Sequence, residues 1–203
     1  MPMDASLSDY VPDKLYERLF KPWDLHPSEW PLCKEDWERV DAVTRLPWRG
    51  NLLDFGAGDG TLAAMVCSRN PNVQEVTCLE QDTFQHSKAY RLWAEWPLRF
   101  FAHGCRWEQY FDGALLCQTL EHLTPEDGMG VLNDIKKALK PGGLFCVTVP
   151  HSAGPRASYP GHIREFNAAT LRADLEEAGF TVDDGDTIGG KIIPVWILAV
   201  CHA

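Results

Sequence analysis

From Asn51 onward, short apolar runs alternate with longer amphipathic stretches. The runs Asn51–Gly56 (NLLDFG), Glu75–Glu80 (EVTCLE), Leu98–His103, Asp112–Gln118 (DGALLCQ) and Leu144–Val149 are each too short for a helix and predict strands. Thr61–Arg69 and Asp82–Trp96 predict helices, the second stopped by Pro97. The best-marked helix has Thr124 as its cap, Pro125 in its first turn and Asp127 completing a capping-box pattern. It turns Val131, Leu132, Ile135 and Leu139 to one face, and Lys140-Pro141-Gly142-Gly143 is expected to end it. Asn167 caps a further helix through Leu171, Leu175 and Ala178, closed by Gly179. Phe180–Asp183 and Ile192–Cys201 predict two last strands with no helix between them, so they can pair antiparallel at one edge. Alternating strands and helices predict a mostly parallel α/β sheet with helices on both faces. Ligands of such sheets sit beyond the carboxyl ends of the strands, here after Phe55, Leu79, Phe101, Cys117 and Val149.

The first 45 residues or so break this pattern. Pro12, Pro22, Pro27 and Pro31 forbid one continuous helix, although Trp23, Trp30 and Trp37 recur every seven residues. Only Glu35–Leu46 reads as a good helix. This segment, 1–45, is expected to be an arm packed on the main domain (46–203) or an aromatic lid over a substrate pocket.

A chain of 203 residues fits one domain with a short extension. Its net charge of −10 argues against a phosphate-backbone partner. Lys136, Lys137 and Lys140 cluster at a predicted helix end, where they complement the helix dipole. The seven cysteines form no C-x-x-C pair, which suits reduced thiols in a reducing compartment and gives no zinc-binding spacing. The amino terminus has no basic or apolar leader pattern, and no run approaches the ~18 apolar residues of a membrane span. A cytoplasmic location is expected.

The most informative segment is Leu52-Leu53-Asp54-Phe55-Gly56-Ala57-Gly58-Asp59-Gly60. Glycines at alternate positions after a strand allow a tight turn and close approach of a ligand, and the next helix aims its amino end at the same spot. Glu80, ending the following strand, is placed to accept hydrogen bonds from both hydroxyls of a ribose. Together these imply an adenosine-type cofactor. Asp54 would sit badly beside a pyrophosphate but suits a cofactor with an ammonium and a sulfonium, and the spacing is G-x-G-x-G rather than the dinucleotide G-x-G-x-x-G.

Over residues 50–203 the chain resembles the class I methyltransferases that use S-adenosylmethionine. LLDFGAGDG is similar to the family's first motif and CLEQD to its second. FDGALLCQTLEHL, LKPGGLFCVTVP and HIREFNAATLRADLEEAGF resemble segments of its small-molecule (UbiE/UbiG-like) branch. The resemblance implies a Rossmann-like, seven-stranded sheet with an antiparallel last strand. It also implies that Asp54, Gly56, Ala57 and Gly58 hold the methionine end, Glu80 the ribose, Gln81 the flank of the adenine, and Gln118 the border of the methyl group. Family members often carry an acid after the third strand; here the segment reads His103-Gly104-Cys105-Arg106-Trp107, so Cys105, Arg106 and Trp107 are expected at the adenine.

Methyl transfer is a displacement at a sulfonium methyl, and a base is needed only if the acceptor starts protonated. Glu121, His122 and His162 are the candidates, with His151 more readily structural. Gln118-Thr119-Leu120-Glu121 lacks the acidic-or-Asn, Pro-Pro, aromatic pattern of enzymes that methylate DNA-base amines. Small-RNA 2′-O-methyltransferases bind a divalent ion through Glu-x-x-Glu-His and a later histidine. Here Gln118 replaces one carboxylate and brings no charge to a hard cation, so no metal is expected. The expected activity is methylation of a small or lipid-like acceptor, with an RNA 2′-O-type enzyme or a non-catalytic cofactor-binding module as alternatives.

Overall fold

The computed structural model describes residues 34–82, 85, 93–102, 107–157, 159–183, 186–188 and 195–203. Helix α1 (Lys34–Thr44) precedes strand β1 (Gly50–Phe55), α2 (Thr61–Arg69), β2 (Val73–Leu79), β3 (Leu98–Phe101) and β4 (Phe111–Cys117). A 3₁₀ turn (Leu120–His122) leads to α3 (Pro125–Ala138), β5 (Leu139–Pro150), α4 (Ala168–Glu177), β6 (Thr181–Val182), β7 (Asp186–Ile188) and β8 (Trp196–His202). The sheet order is β3-β2-β1-β4-β5-β8-β6, with β7 also on β8. β6 and β7 pair with opposite ends of β8 and so share one edge position, giving seven positions across the sheet. The first five strands are parallel, and β8 inserts antiparallel between β5 and the β6/β7 edge.

The pleat explains why the strands are apolar almost throughout. Side chains of consecutive strand residues point to opposite faces, so a sheet covered on both sides needs apolar residues at every position. Leu52, Leu115, Cys146 and Leu198 join the core under α1 and α2, which contribute Trp37, Val43, Ala63 and Val66. Their neighbours Leu53, Ala114, Leu116, Phe145, Val147, Ile197 and Ala199 join the opposite core under α3 and α4, with Leu132, Ile135, Leu171 and Leu175. The five described cysteines are all free thiols, four of them buried.

Both predicted caps form. The Thr124 hydroxyl accepts from Asp127 N–H at 3.1 Å, and the Asn167 side chain accepts from Thr170 N–H at 2.9 Å in a full capping box. Lys140-Pro141-Gly142-Gly143 does not separate α3 from the next strand as expected: the helix ends at Ala138 and the strand already begins at Leu139. These residues belong to β5, whose register jumps from Phe111↔Leu139 to Gly113↔Leu144. A bulge there is held from outside: Gly142 N–H donates to the Ala203 carbonyl at 2.7 Å, and Lys140 Nζ reaches Asp112 Oδ1 at 2.7 Å. The helix expected at Asp82–Trp96 falls mostly outside the described residues, as do Trp23 and Trp30. Among the described residues, no helix is long and apolar enough to cross a membrane.

Strand order reverses at β1, which has β2 on one side and β4 on the other. The chain leaves β1 towards β2 and later crosses to β4, so the loops after these strands diverge and open a crevice at their carboxyl ends.

Candidate active site

The crevice is built on the turn after β1. Gly56 and Ala57 N–H both donate to the Leu79 carbonyl, at 2.8 and 3.0 Å, which folds the chain back across the end of β2. Gly56 has φ +75°, and a Cβ there would lie 2.2 Å from Thr119 Oγ1. Backbone conformation and space therefore both demand glycine. A Cβ on Gly58, where φ is +54°, would meet nothing within 4 Å, so this side of the turn faces open space.

Two carboxylates flank the turn in unlike surroundings. Asp54 is 2% exposed, and its Oδ2 makes no hydrogen bond among the described residues. Burial pushes its carboxyl well above the ordinary 3.8, with smaller contributions from Cys117 and Glu80. Glu80 is engaged: Oε2 accepts from Gly58 N–H at 2.8 Å and Oε1 from Asp82 N–H at 2.9 Å. A carboxylate has about four lone-pair sites, so Glu80 can brace the turn and still accept from a ligand. Glu80→Ala should therefore loosen the turn as well as lose a ligand contact. Calorimetry with S-adenosylhomocysteine should show binding weaker by ~1–3 kcal/mol, the cost of a lost charged hydrogen bond.

A cleft of about 310 Å³ runs from this turn to the end of β4. Gly56, Glu80 and Gln81 line one side, Gln118, Thr119 and His122 the other. Gln118 adopts φ +58°, unusual for a residue with a side chain, and its Nε2 donates to the Thr148 carbonyl at 3.2 Å. Strand β5 thus holds Gln118 in a left-handed turn at the cleft wall. Thr119 is not marked by any sequence motif; its only signal is the need for a glycine at position 56, which faces it. Trp107 stacks edge-on with Phe101 and Phe111, at 6.2 and 5.2 Å, and does not line the cleft. Cys105 and Arg106 lie outside the described residues.

At the β4 end, the neighbouring Glu121 and His122 meet His162, which lies 40 residues further along the chain. One donor atom each of Glu121, His122 and His162 lies within 4.8 Å of the others. The loop after β5 is pinned there: Ile163 and Arg164 N–H donate to the Glu121 carbonyl at 2.9 and 3.2 Å, and the rings of His122 and His162 meet edge-on at 4.8 Å. His122 Nδ1 lies 2.9 Å from the Gly161 carbonyl. A carbonyl only accepts, so Nδ1 carries the proton and the Nε2 lone pair is left over. Glu121 is 1% exposed; neither of its side-chain oxygens, nor His162 Nδ1, makes a hydrogen bond among the described residues. Burial pushes the Glu121 carboxyl up to about 7, against its own backbone N–H, His122 and Arg39, which pull it down.

Residues 32–184 match the family model described as "Methyltransferase domain". The chain belongs to this family. A "probable S-adenosylmethionine-dependent methyltransferase" of Mycolicibacterium smegmatis is 40% identical over 72 residues, 33% of this chain. The chain matches only 27% of that relative's length. The N-methyltransferase NodS of Bradyrhizobium japonicum, solved with S-adenosylhomocysteine, superposes with a TM-score of 0.71 at 18% identity, over 94% of this chain and 98% of that one. The 1,6-didemethyltoxoflavin N1-methyltransferase of Burkholderia thailandensis is 26% identical, with a TM-score of 0.66 over 81% and 76% of the two chains. The site fits the cofactor named for the M. smegmatis relative: Asp54 is a buried acid with one oxygen lacking a hydrogen-bond partner among the described residues, and the turn beside it is open.

Proposed function

We propose that this methyltransferase transfers the methyl group of S-adenosylmethionine to a small-molecule acceptor held at the Glu121–His122–His162 end of the cleft. The observation that carries the reading is continuity: one cleft joins Glu80 and Gly56 to Gln118 and His122. A nucleoside bound at the first pair directs its sulfonium towards the second. The net charge of −10 and the likeness to a B. thailandensis enzyme solved with 1,6-didemethyltoxoflavin support a small acceptor over a nucleic acid.

The cofactor supplies an activated methyl group; the chain's residues bind and orient. Asp54 neutralises the cofactor's positive end, with Gly56, Ala57 and Gly58 letting the backbone approach it. Glu80 takes the ribose and Gln81 flanks the adenine. Gln118, locked by Thr148, borders the methyl. On the acceptor side, the His122 ring, held through Nδ1 by the Gly161 carbonyl, stands with His162 and Glu121 around the acceptor's reacting atom and orients it. Positioning of this kind lowers the barrier without covalent chemistry by the protein.

His162→Ala should lower kcat about 10-fold or more, as the loss of a positioning group does, with little change in S-adenosylhomocysteine affinity. A screen of small acceptors with labelled methyl donor, run on wild type and variant, checks this. Full activity in the variant would reduce His162 to scaffold. Transfer to RNA but to no small molecule in the screen would overturn the acceptor class.

A further inference from the structure

We infer that Glu121, His122 and His162 form a binding site for a divalent transition-metal ion of the Zn²⁺, Co²⁺ or Mn²⁺ kind at the acceptor end of the cleft. The inference deepens the functional reading of this site, because an ion here would orient an oxygen-bearing acceptor. Metal binding itself does not depend on which acceptor is used.

Three observations converge. The first is the donor set: two imidazoles and a carboxylate, with donor atoms within 4.8 Å of one another. A point between three atoms no more than 4.8 Å apart lies within about 2.8 Å of each, so small side-chain rotations bring them to the ~2.0–2.2 Å of Zn–N and Zn–O bonds. The second is that the donors are unspent. Glu121 is buried, yet neither side-chain oxygen has a partner among the described residues, and His162 Nδ1 is orphaned too. Buried polar atoms without partners are costly, and a cation satisfies them together. The third is that His122 is already oriented as a metal-ligating histidine is: Nδ1–H donates to the Gly161 carbonyl at 2.9 Å, leaving Nε2 as a lone-pair donor.

Gln118, whose place in the sequence argued against a metal, is not needed. Its side chain turns to Thr148, and His162 brings the third donor from the loop after β5. Two nitrogens and one oxygen suit a borderline transition ion; Mg²⁺ or Ca²⁺ prefers more oxygens. Three protein ligands leave open positions. His122 lines the cleft, so those positions face it and fit an acceptor hydroxyl.

The test uses the full chain, stripped with chelator, in calorimetric titrations with Zn²⁺ and optical titrations with Co²⁺. One ion per chain is expected, with a Co²⁺ spectrum of nitrogen and oxygen ligands and no thiolate charge-transfer band. His122→Ala and His162→Ala should each weaken binding about 100-fold, whereas His151→Ala, outside the cluster, should not. If a histidine variant fails to fold, Glu121→Gln keeps the volume and should show the same loss. No binding, a thiolate signature, or full binding in the His122→Ala/His162→Ala double variant would overturn the inference. S-adenosylhomocysteine is titrated into the same samples. Nucleoside binding without ion binding removes the metal alone; ion binding without nucleoside binding removes the cofactor reading and leaves the metal.

Discussion

Asp54→Asn should make the ligand-free protein more stable and yet bind S-adenosylhomocysteine about 10- to 100-fold more weakly, equivalent to the ~1–3 kcal/mol of a charged hydrogen bond. The opposed signs follow from one fact: the Asp54 carboxyl is buried, with one oxygen making no hydrogen bond among the described residues. In the unfolded chain it loses its proton near the ordinary 3.8; in the folded chain burial holds the proton to well above that. Between those two values the unfolded chain binds fewer protons, so the wild type loses stability as pH rises. Asn cannot ionise and shows no such loss. Melting scans should therefore find the two proteins alike near pH 4, with Asp54→Asn pulling ahead towards pH 7. Binding has the converse dependence. The cofactor's ammonium favours the ionised acid, so binding releases a proton and wild-type affinity rises with pH, whereas the affinity of the variant stays flat. An Asp54→Asn protein that binds as tightly as wild type would remove Asp54 from the cofactor site.

Gly56→Ala should damage both the fold and the cofactor site. The new Cβ would lie 2.2 Å from Thr119 Oγ1, on a backbone at φ +75°. The left-handed conformation alone costs ~1–2 kcal/mol. The collision adds to it and pushes Thr119 away from the Phe55 and Cys117 carbonyls, to which its hydroxyl donates at 3.4 and 3.3 Å. Because both walls of the cleft move, affinity for S-adenosylhomocysteine should fall about 100-fold or more, and a drop of ~2–4 °C in Tm is expected per kcal/mol lost. The double variant Gly56→Ala/Thr119→Ala should recover part of the loss, since it removes the collision but not the strain. Gly58→Ala, with open space around the added methyl, should lose only the ~1 kcal/mol of strain while still impairing binding. Equal losses of stability in Gly56→Ala and Gly58→Ala would show that Thr119 does not constrain the turn.

Legibility in the sequence follows how local each signal is. The caps at Thr124 and Asn167 can be read because a cap needs only residues three positions apart. The bulge at Lys140–Gly143 cannot, because its partners are Ala203 and Asp112. Pro141-Gly142-Gly143 carries a turn signal whether the chain leaves the sheet or merely kinks within it. The Trp107 ring, expected on the adenine, meets Phe101 and Phe111 edge-on, contacts that no sequence motif marks.

The methyltransferase class was determined by the amino-acid order alone: alternating strands and helices, the Asp54–Gly60 turn and Glu80 are short-range patterns with one common solution. Only the tertiary structure decided what stands at the β4 end of the cleft. Glu121 and His122 lie 40 residues or so before His162, and nothing between them prescribes that the loop after β5 folds back to donate Ile163 and Arg164 N–H to the Glu121 carbonyl. Long-range hydrogen bonds of that kind place the two histidine rings in contact and bury the Glu121 carboxylate with no hydrogen-bond partner among the described residues, because side-chain surroundings are set by packing and not by order along the chain.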